Sequence, residues 1–119
     1  METLSNIKSV IAEILDIEEQ DMDPETYLIR ELDAESIDLL ELAVSLNSAF
    51  GKKINDHDIF LTNLRGHLEA SENNGKQPAD CLLEAYPFLE KQRVDEILMD
   101  LDGGPVLKIK DLVRYIDYV

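Results

Sequence analysis

Ser36 is the hydroxyl best placed for chemistry in this chain. It closes the polar run Asp33-Ala34-Glu35-Ser36, after Leu32. The amphipathic stretch Ile37-Asp38-Leu39-Leu40-Glu41-Leu42 begins immediately behind it. That placement suits a residue carrying a covalently attached group. The bland reading is a helix N-cap, a common task for serine. Other reactive types are scattered. His57 and His67 are ten apart, on different helix faces, and no Cys or second His stands at ligand spacing, so they read as solvated or packed residues. Cys81 sits beside Leu82 and Leu83 without a basic cluster to lower its pKa, and reads as a structural thiol. The acid run from Glu18 to Asp23 lacks an EF-hand: counting from Asp21, the sixth and twelfth positions hold Thr26 and Leu32; counting from Asp16, they hold Asp21 and Tyr27. No Ser-His-Asp grouping, phosphate-binding glycine loop or paired-carboxylate site stands out, so no enzyme activity is expected.

The elements that must position Ser36 read as helices. Leu4, Ile7, Val10, Ile11, Ile14 and Leu15 repeat at helical spacing over about Thr3 to Leu15, with Thr3 or Ser5 as cap. A polar loop spans Asp16 to Glu35, interrupted by Pro24 and pinned by Tyr27, Leu28, Ile29 and Leu32. The second helix, Ser36 to Phe50, carries two apolar sets. Leu39, Leu42, Ala43, Leu46 and Phe50 form a core stripe. Ile37, Leu40 and Val44 form a neighbouring one, bordered by Asp38 and Glu41, and this reads as a docking patch because buried acids would be unpaired. Packing under other helices is its bland alternative. Gly51 ends the helix.

Asn55 or Asp56 caps a third helix with Ile59, Phe60, Leu64 and Leu68 inward, ending before Asn73-Asn74-Gly75. Pro78 opens the next, with Leu82, Leu83 and Tyr86 inward, and Pro87 breaks it. Val94, Ile97, Leu98 and Leu101 form another, stopped by Gly103-Gly104-Pro105. The last runs from Lys108 to Tyr118 with Ile109, Leu112, Val113 and Ile116 inward; Tyr86, Tyr115 and Tyr118 read as packing residues. The expectation is one all-α domain, residues 1–119, of five to seven helices.

Composition narrows the function. The net charge of −15 disfavours nucleic acid and anionic membrane surfaces and suits partners with basic patches, although acidity also simply keeps a small protein dissolved. A single cysteine precludes an internal disulfide. The start of the chain lacks a signal-peptide pattern, and no apolar run is long enough to span a bilayer. A cytoplasmic monomer is the expectation.

Glu35-Ser36-Ile37-Asp38, with Leu32 before and Glu41-Leu42 after, resembles the Asp-Ser-Leu site of acyl carrier proteins. Leu28 to Leu32 resembles the segment leading into that site, Phe50-Gly51-Lys52-Lys53-Ile54 the end of the family's second helix, and Ile109 to Ile116 its closing helix. The resemblance covers about Leu4 to Leu61 and Val106 to Val119. It implies a four-helix carrier fold. It also implies that Ser36 Oγ accepts 4′-phosphopantetheine from coenzyme A, and that the arm's thiol holds an acyl group as a thioester. A phosphate on Ser36 would lie near free N–H groups at the positive end of the helix. The arm would swing out to partner enzymes and fold back to hide its acyl chain between helices. The partners implied are a phosphopantetheinyl transferase, an acyl-loading enzyme, and synthases or acyltransferases with basic surfaces. They would meet Glu35, Ile37, Asp38, Leu40, Glu41 and Val44.

The chain departs from the family at several positions. Glu35 stands for the usual Asp, Ile37 for Leu, Asp33 for a common Gly, and Asn47 and Ser48 lie where acids are frequent. The largest departure is a helical insertion at about 62–104, before the last helix, read as a larger acyl pocket or a new partner surface. Some carriers of lipid A assembly are enlarged in the same region, an analogy that points to lipid or lipopolysaccharide synthesis. A peptidyl or polyketide carrier is the alternative within the class. An unmodified acidic helical adaptor is the alternative outside it.

Overall fold

The computed structural model describes residues 2–119, and α-helices dominate it. Helix α1 (Glu2–Leu15) buries Ile7 and Ile11 completely, with Leu4, Val10, Ile14 and Leu15 half-buried along the same stripe. It begins ahead of Thr3, so Thr3 and Ser5 lie within the helix and do not cap it. Thr3 Oγ1 instead donates to Asp117 Oδ1 (2.8 Å), near the far end of the chain. Helix α2 (Ser36–Phe50) buries Leu42, Ala43 and Leu46, flanked by half-buried Leu39 and Phe50. Gly51 closes it at φ 61°, a left-handed conformation that glycine adopts without a Cβ penalty.

The single third helix expected between its cap at Asn55 or Asp56 and the turn at Asn73 is two. Helix α3 (Asp56–Ile59) is capped as anticipated, Asn55 Oδ1 accepting from Asp58 N (3.1 Å). The chain then leaves helical geometry at Leu61, which has φ 55°, and resumes as α4 (Leu64–Asn74). Ile59, Phe60, Leu61 and Leu64 are all buried. A continuous helix would spread residues 59, 60 and 61 over three directions, so a break is what turns them all inward. Helix α5 (Pro78–Ala85) stops before Pro87, as the missing donor requires. Helix α6 (Lys91–Met99) buries Val94 and Ile97. Helix α7 (Ile109–Tyr118) buries Ile109, Leu112, Val113 and Ile116. Tyr86 and Tyr115 are core residues, but Tyr118 is exposed at the end of α7, its ring tilted 50° to that of Phe88 at 6.4 Å between centroids.

Two packing groups emerge. Helix α1 packs on α2 and α7, with α3 against α7; α4, α5 and α6 pack in succession. One tie between the groups is a buried ion pair. Asp111 on α7 is wholly inaccessible, and its carboxylate accepts from Arg93 Nε (2.7 Å) and Nη2 (2.8 Å) on α6 and from Lys108 N (2.9 Å). Arg93 also donates to the Val106 carbonyl (2.7 Å). A short antiparallel bridge joins the loop before α2 to the segment before α7: Leu28 N donates to Leu107 O (3.1 Å) and Ile109 N to Thr26 O (3.0 Å).

Removing the charge from a buried pair leaves its partner uncompensated. Asp111→Asn is therefore expected to cost ~3 kcal/mol in urea unfolding. Glu25 works at the surface of the same region. Its hydrogen bonds to the Lys108 ammonium and then to that of Lys110 lower its pKa from 4.5 to about 2. A lowered folded pKa gives stability that is present above the unfolded value and vanishes as pH falls through the folded one. Glu25→Gln should thus lower the urea midpoint at neutral pH. Its difference from the unmodified chain should shrink between pH 4.5 and about 2, and added salt should reduce it because the group is mostly exposed.

Candidate functional site

The loop before α2 is held from beneath. Leu28 is fully buried and Ala34 nearly so, and Ala34 N donates to Leu28 O (3.3 Å) while Asp33 N donates to Ile29 O (3.0 Å). Asp33 sits at φ 56°. Glycine enters that left-handed region without strain, and Asp is among the few other residues that do so readily.

Glu35, extended at φ −96° and ψ 170°, is the N-cap of α2, and Ser36 is the first helical residue. The reading of Ser36 as a cap is therefore corrected by one position. The cap is supported from inside the helix, because Asp38 Oδ2 accepts from Glu35 N (2.9 Å). Ser36 is exposed, and among the described residues its hydroxyl makes no hydrogen bond. A helix leaves its first N–H groups unpaired, so an anion on Ser36 Oγ would lie beside donors and the positive end of α2. The residues present fit a phosphodiester there.

Among the described residues, no other helix covers the second apolar set. Ile37, Leu40 and Val44 are 66%, 60% and 69% exposed and form a ridge beside Ser36. Glu35 and Glu41 are exposed next to it, whereas Asp38 is half-buried and already engaged in the cap. On another side, Leu39 borders an apolar groove of about 470 Å³ against Phe60, Leu61 and Thr62, the start of α4, and the segment from Leu101 to Leu107.

The remaining reactive types have local tasks. His57 Nδ1 is 2.8 Å from Thr62 Oγ1, and the His67 ring stands edge-on to Tyr86. Cys81, half-buried, donates to the His67 carbonyl (3.1 Å). A polar cluster that the sequence did not signal lies behind the loop: Tyr27 Oη and Arg30 Nη1 both bond Asp100, and Arg30 Nη2 donates to Gly104 O (3.0 Å).

The family described as phosphopantetheine attachment site matches residues 5–66, just over half of the chain. The chain belongs to the acyl carrier protein family. It is 40% identical over 58 residues to the acyl carrier protein of Thermotoga maritima, covering 49% of this chain and 72% of that one. The acyl carrier protein of Helicobacter hepaticus is 33% identical over 58 residues (49% and 76%), and that of Rubrobacter xylanophilus 37% over 57 residues (48% and 70%). No solved structure matches. The carrier binds 4′-phosphopantetheine covalently, and its all-helical fold holds helices beyond the family's bundle; residues 67–119 lie outside the family match. Carriers of this family are not themselves enzymes.

Losing a cap acceptor typically costs about 0.5–2 kcal/mol. Asp38→Ala should destabilise the carrier by ~1 kcal/mol and speed amide exchange in the first turn of α2, as read by hydrogen–deuterium exchange.

Proposed function

We propose that Ser36 is the attachment residue. The observation that carries this is an exposed, unbonded hydroxyl on the first residue of α2, within the span matched to the family. Ser36 Oγ forms a bond to phosphorus as the diphosphate bond of coenzyme A breaks. The hydroxyl proton leaves to a base on the transferase and the adenosine-side phosphate departs. The group supplies a flexible arm whose terminal thiol holds an acyl group as a thioester. Arg30, Leu28 and Ala34 fix the loop, Asp38 fixes the helix start, and the serine is thereby presented outward.

The Ile37–Leu40–Val44 ridge, with Glu35, Asp38 and Glu41, is the face that meets the transferase, the loading enzyme and basic-surfaced synthases or acyltransferases. Its exposure supports this reading, because large apolar side chains left in water beside a reactive group favour a partner. The segment 62–104 is an insertion within one domain. The pathway is fatty acid, lipid or lipopolysaccharide (lipid A) biosynthesis, and the setting is the cytoplasm, consistent with one unpaired cysteine and with the absence, among the described residues, of a helix long and apolar enough to cross a membrane.

Intact mass spectrometry tests the attachment. Incubation with coenzyme A and a phosphopantetheinyl transferase should add the mass of one phosphopantetheine, and Ser36→Ala should abolish the gain. A gain that persists in Ser36→Ala would move the attachment elsewhere. No gain with several transferases would leave an unmodified adaptor using the same ridge.

A further inference from the structure

Leu39 stands one helical turn after Ser36, so both lie on one side of α2. It borders two hollows of very different size. Towards α1, among Ile11, Ile14 and Leu42, about 10 Å³ is free, too little for more than a water molecule. Away from α1 the groove of about 470 Å³ runs between Leu39, Leu61, Leu64, Leu101, Pro105 and Val106. Two further hollows lie elsewhere. One of about 330 Å³ is edged by Arg93, Glu96, Lys110 and Arg114, and another by Lys76, Asp80 and Glu84; no residue of α2 borders either. The groove of about 470 Å³ is therefore an apolar space of acyl size on the helix that carries Ser36.

One wall of that space is the strap Leu101–Val106, which lies outside the family match. It enters as a short 3-10 turn (Leu101–Gly103) and then passes through Gly104 at φ 111° and ψ −160°, a conformation essentially reserved for glycine. The strap is fastened at two places. Arg30 pairs with Asp100 Oδ1 (3.1 Å) and donates to Gly104 O (3.0 Å), with Tyr27 Oη on the same carboxylate. From α4, across the groove, Arg65 Nη2 donates to Leu101 O (3.3 Å). The Arg30 fastening is half-buried and multiple. That of Arg65 is single, long and exposed, and so is the weaker of the two.

We infer that the Leu101–Val106 strap is the wall that sets how long a saturated aliphatic acyl group the carrier shields, with Arg65 as its latch. The inference rests on attachment at Ser36. Each methylene taken out of water favours the sheltered state by about fourfold, so protection should climb with chain length until the groove is full.

The test uses the full chain loaded from acyl-coenzyme A of increasing length by a transferase, with loading verified by intact mass. Failure to load counts against Ser36 and the carrier reading, not against the strap. Two measurements follow on the loaded protein. Nuclear Overhauser contacts should link acyl methylenes to Leu64 and Leu101 methyl groups. Cleavage of the thioester by hydroxylamine should slow with chain length. Leu101→Trp, checked for folding by circular dichroism, should fill the groove and speed cleavage of long-chain thioesters about fourfold or more, leaving the acetyl thioester unchanged. Arg65→Ala, an exposed change, should act in the same direction by a smaller factor. Contacts only to Ile11 and Ile14, no contacts at all, or a length dependence that ignores both variants would overturn the inference.

Discussion

A carboxylate with no access to water can stay charged only if the protein supplies what water would have supplied. Asp111 is in that position, and three donors answer it: two nitrogens of Arg93 and the amide of Lys108. The geometry does three jobs at once. It caps α7, it anchors α6, and through Arg93 it holds the Val106 carbonyl that begins the run into α7. The bridge from Leu107 and Ile109 to the loop before α2 starts one residue further on. The position of Ser36 is thus set partly by a charge far from it in the chain. Such a pair does not have to add net stability over an apolar substitute. Its directional donors do fix which groups meet.

Local pattern made much of the fold legible. The stripes of α1, α2 and α7 were readable because each keeps one apolar face, and the ends at Gly51, Gly75 and Pro87 because glycine and proline alter backbone options directly. Ser36 stood out because a polar run meets an amphipathic helix there. What the pattern did not reveal were features decided by distant partners. Leu61 breaks the third helix because Ile59, Phe60 and Leu61 are all buried, and a continuous helix would point them in three directions. Ser36 gives up the cap to Glu35 because Asp38 can reach back to the Glu35 amide. Arg30 with Asp100 and Arg93 with Asp111 are 70 and 18 residues apart, and nothing in residue type announces such meetings.

The exposed ridge and the apolar groove lie on different sides of one helix. Ile37, Leu40 and Val44 point to solvent, while Leu39 points to the strap. A side chain's rank in the helix therefore separates two kinds of contact that sit within one turn of each other. The same arrangement explains why a single amphipathic stripe could not describe α2: its acids lie between two apolar sets, and one of them, half-buried Asp38, also accepts from the Glu35 amide at the helix start.

The cations of this chain are largely committed. Arg30, Lys76, Lys91, Arg93, Lys108, Lys110 and Arg114 each face a carboxylate, in a chain of net charge −15. For the docking proposed at the Ile37–Leu40–Val44 ridge, long-range attraction towards a basic surface is strong, while the apolar grip offered by three side chains is small. Attraction of that kind quickens encounter, and a small grip shortens residence once the complex has formed. A molecule that must visit one protein, release it and reach another gains from both. Its turnover is governed as much by how readily it lets go as by how well it binds.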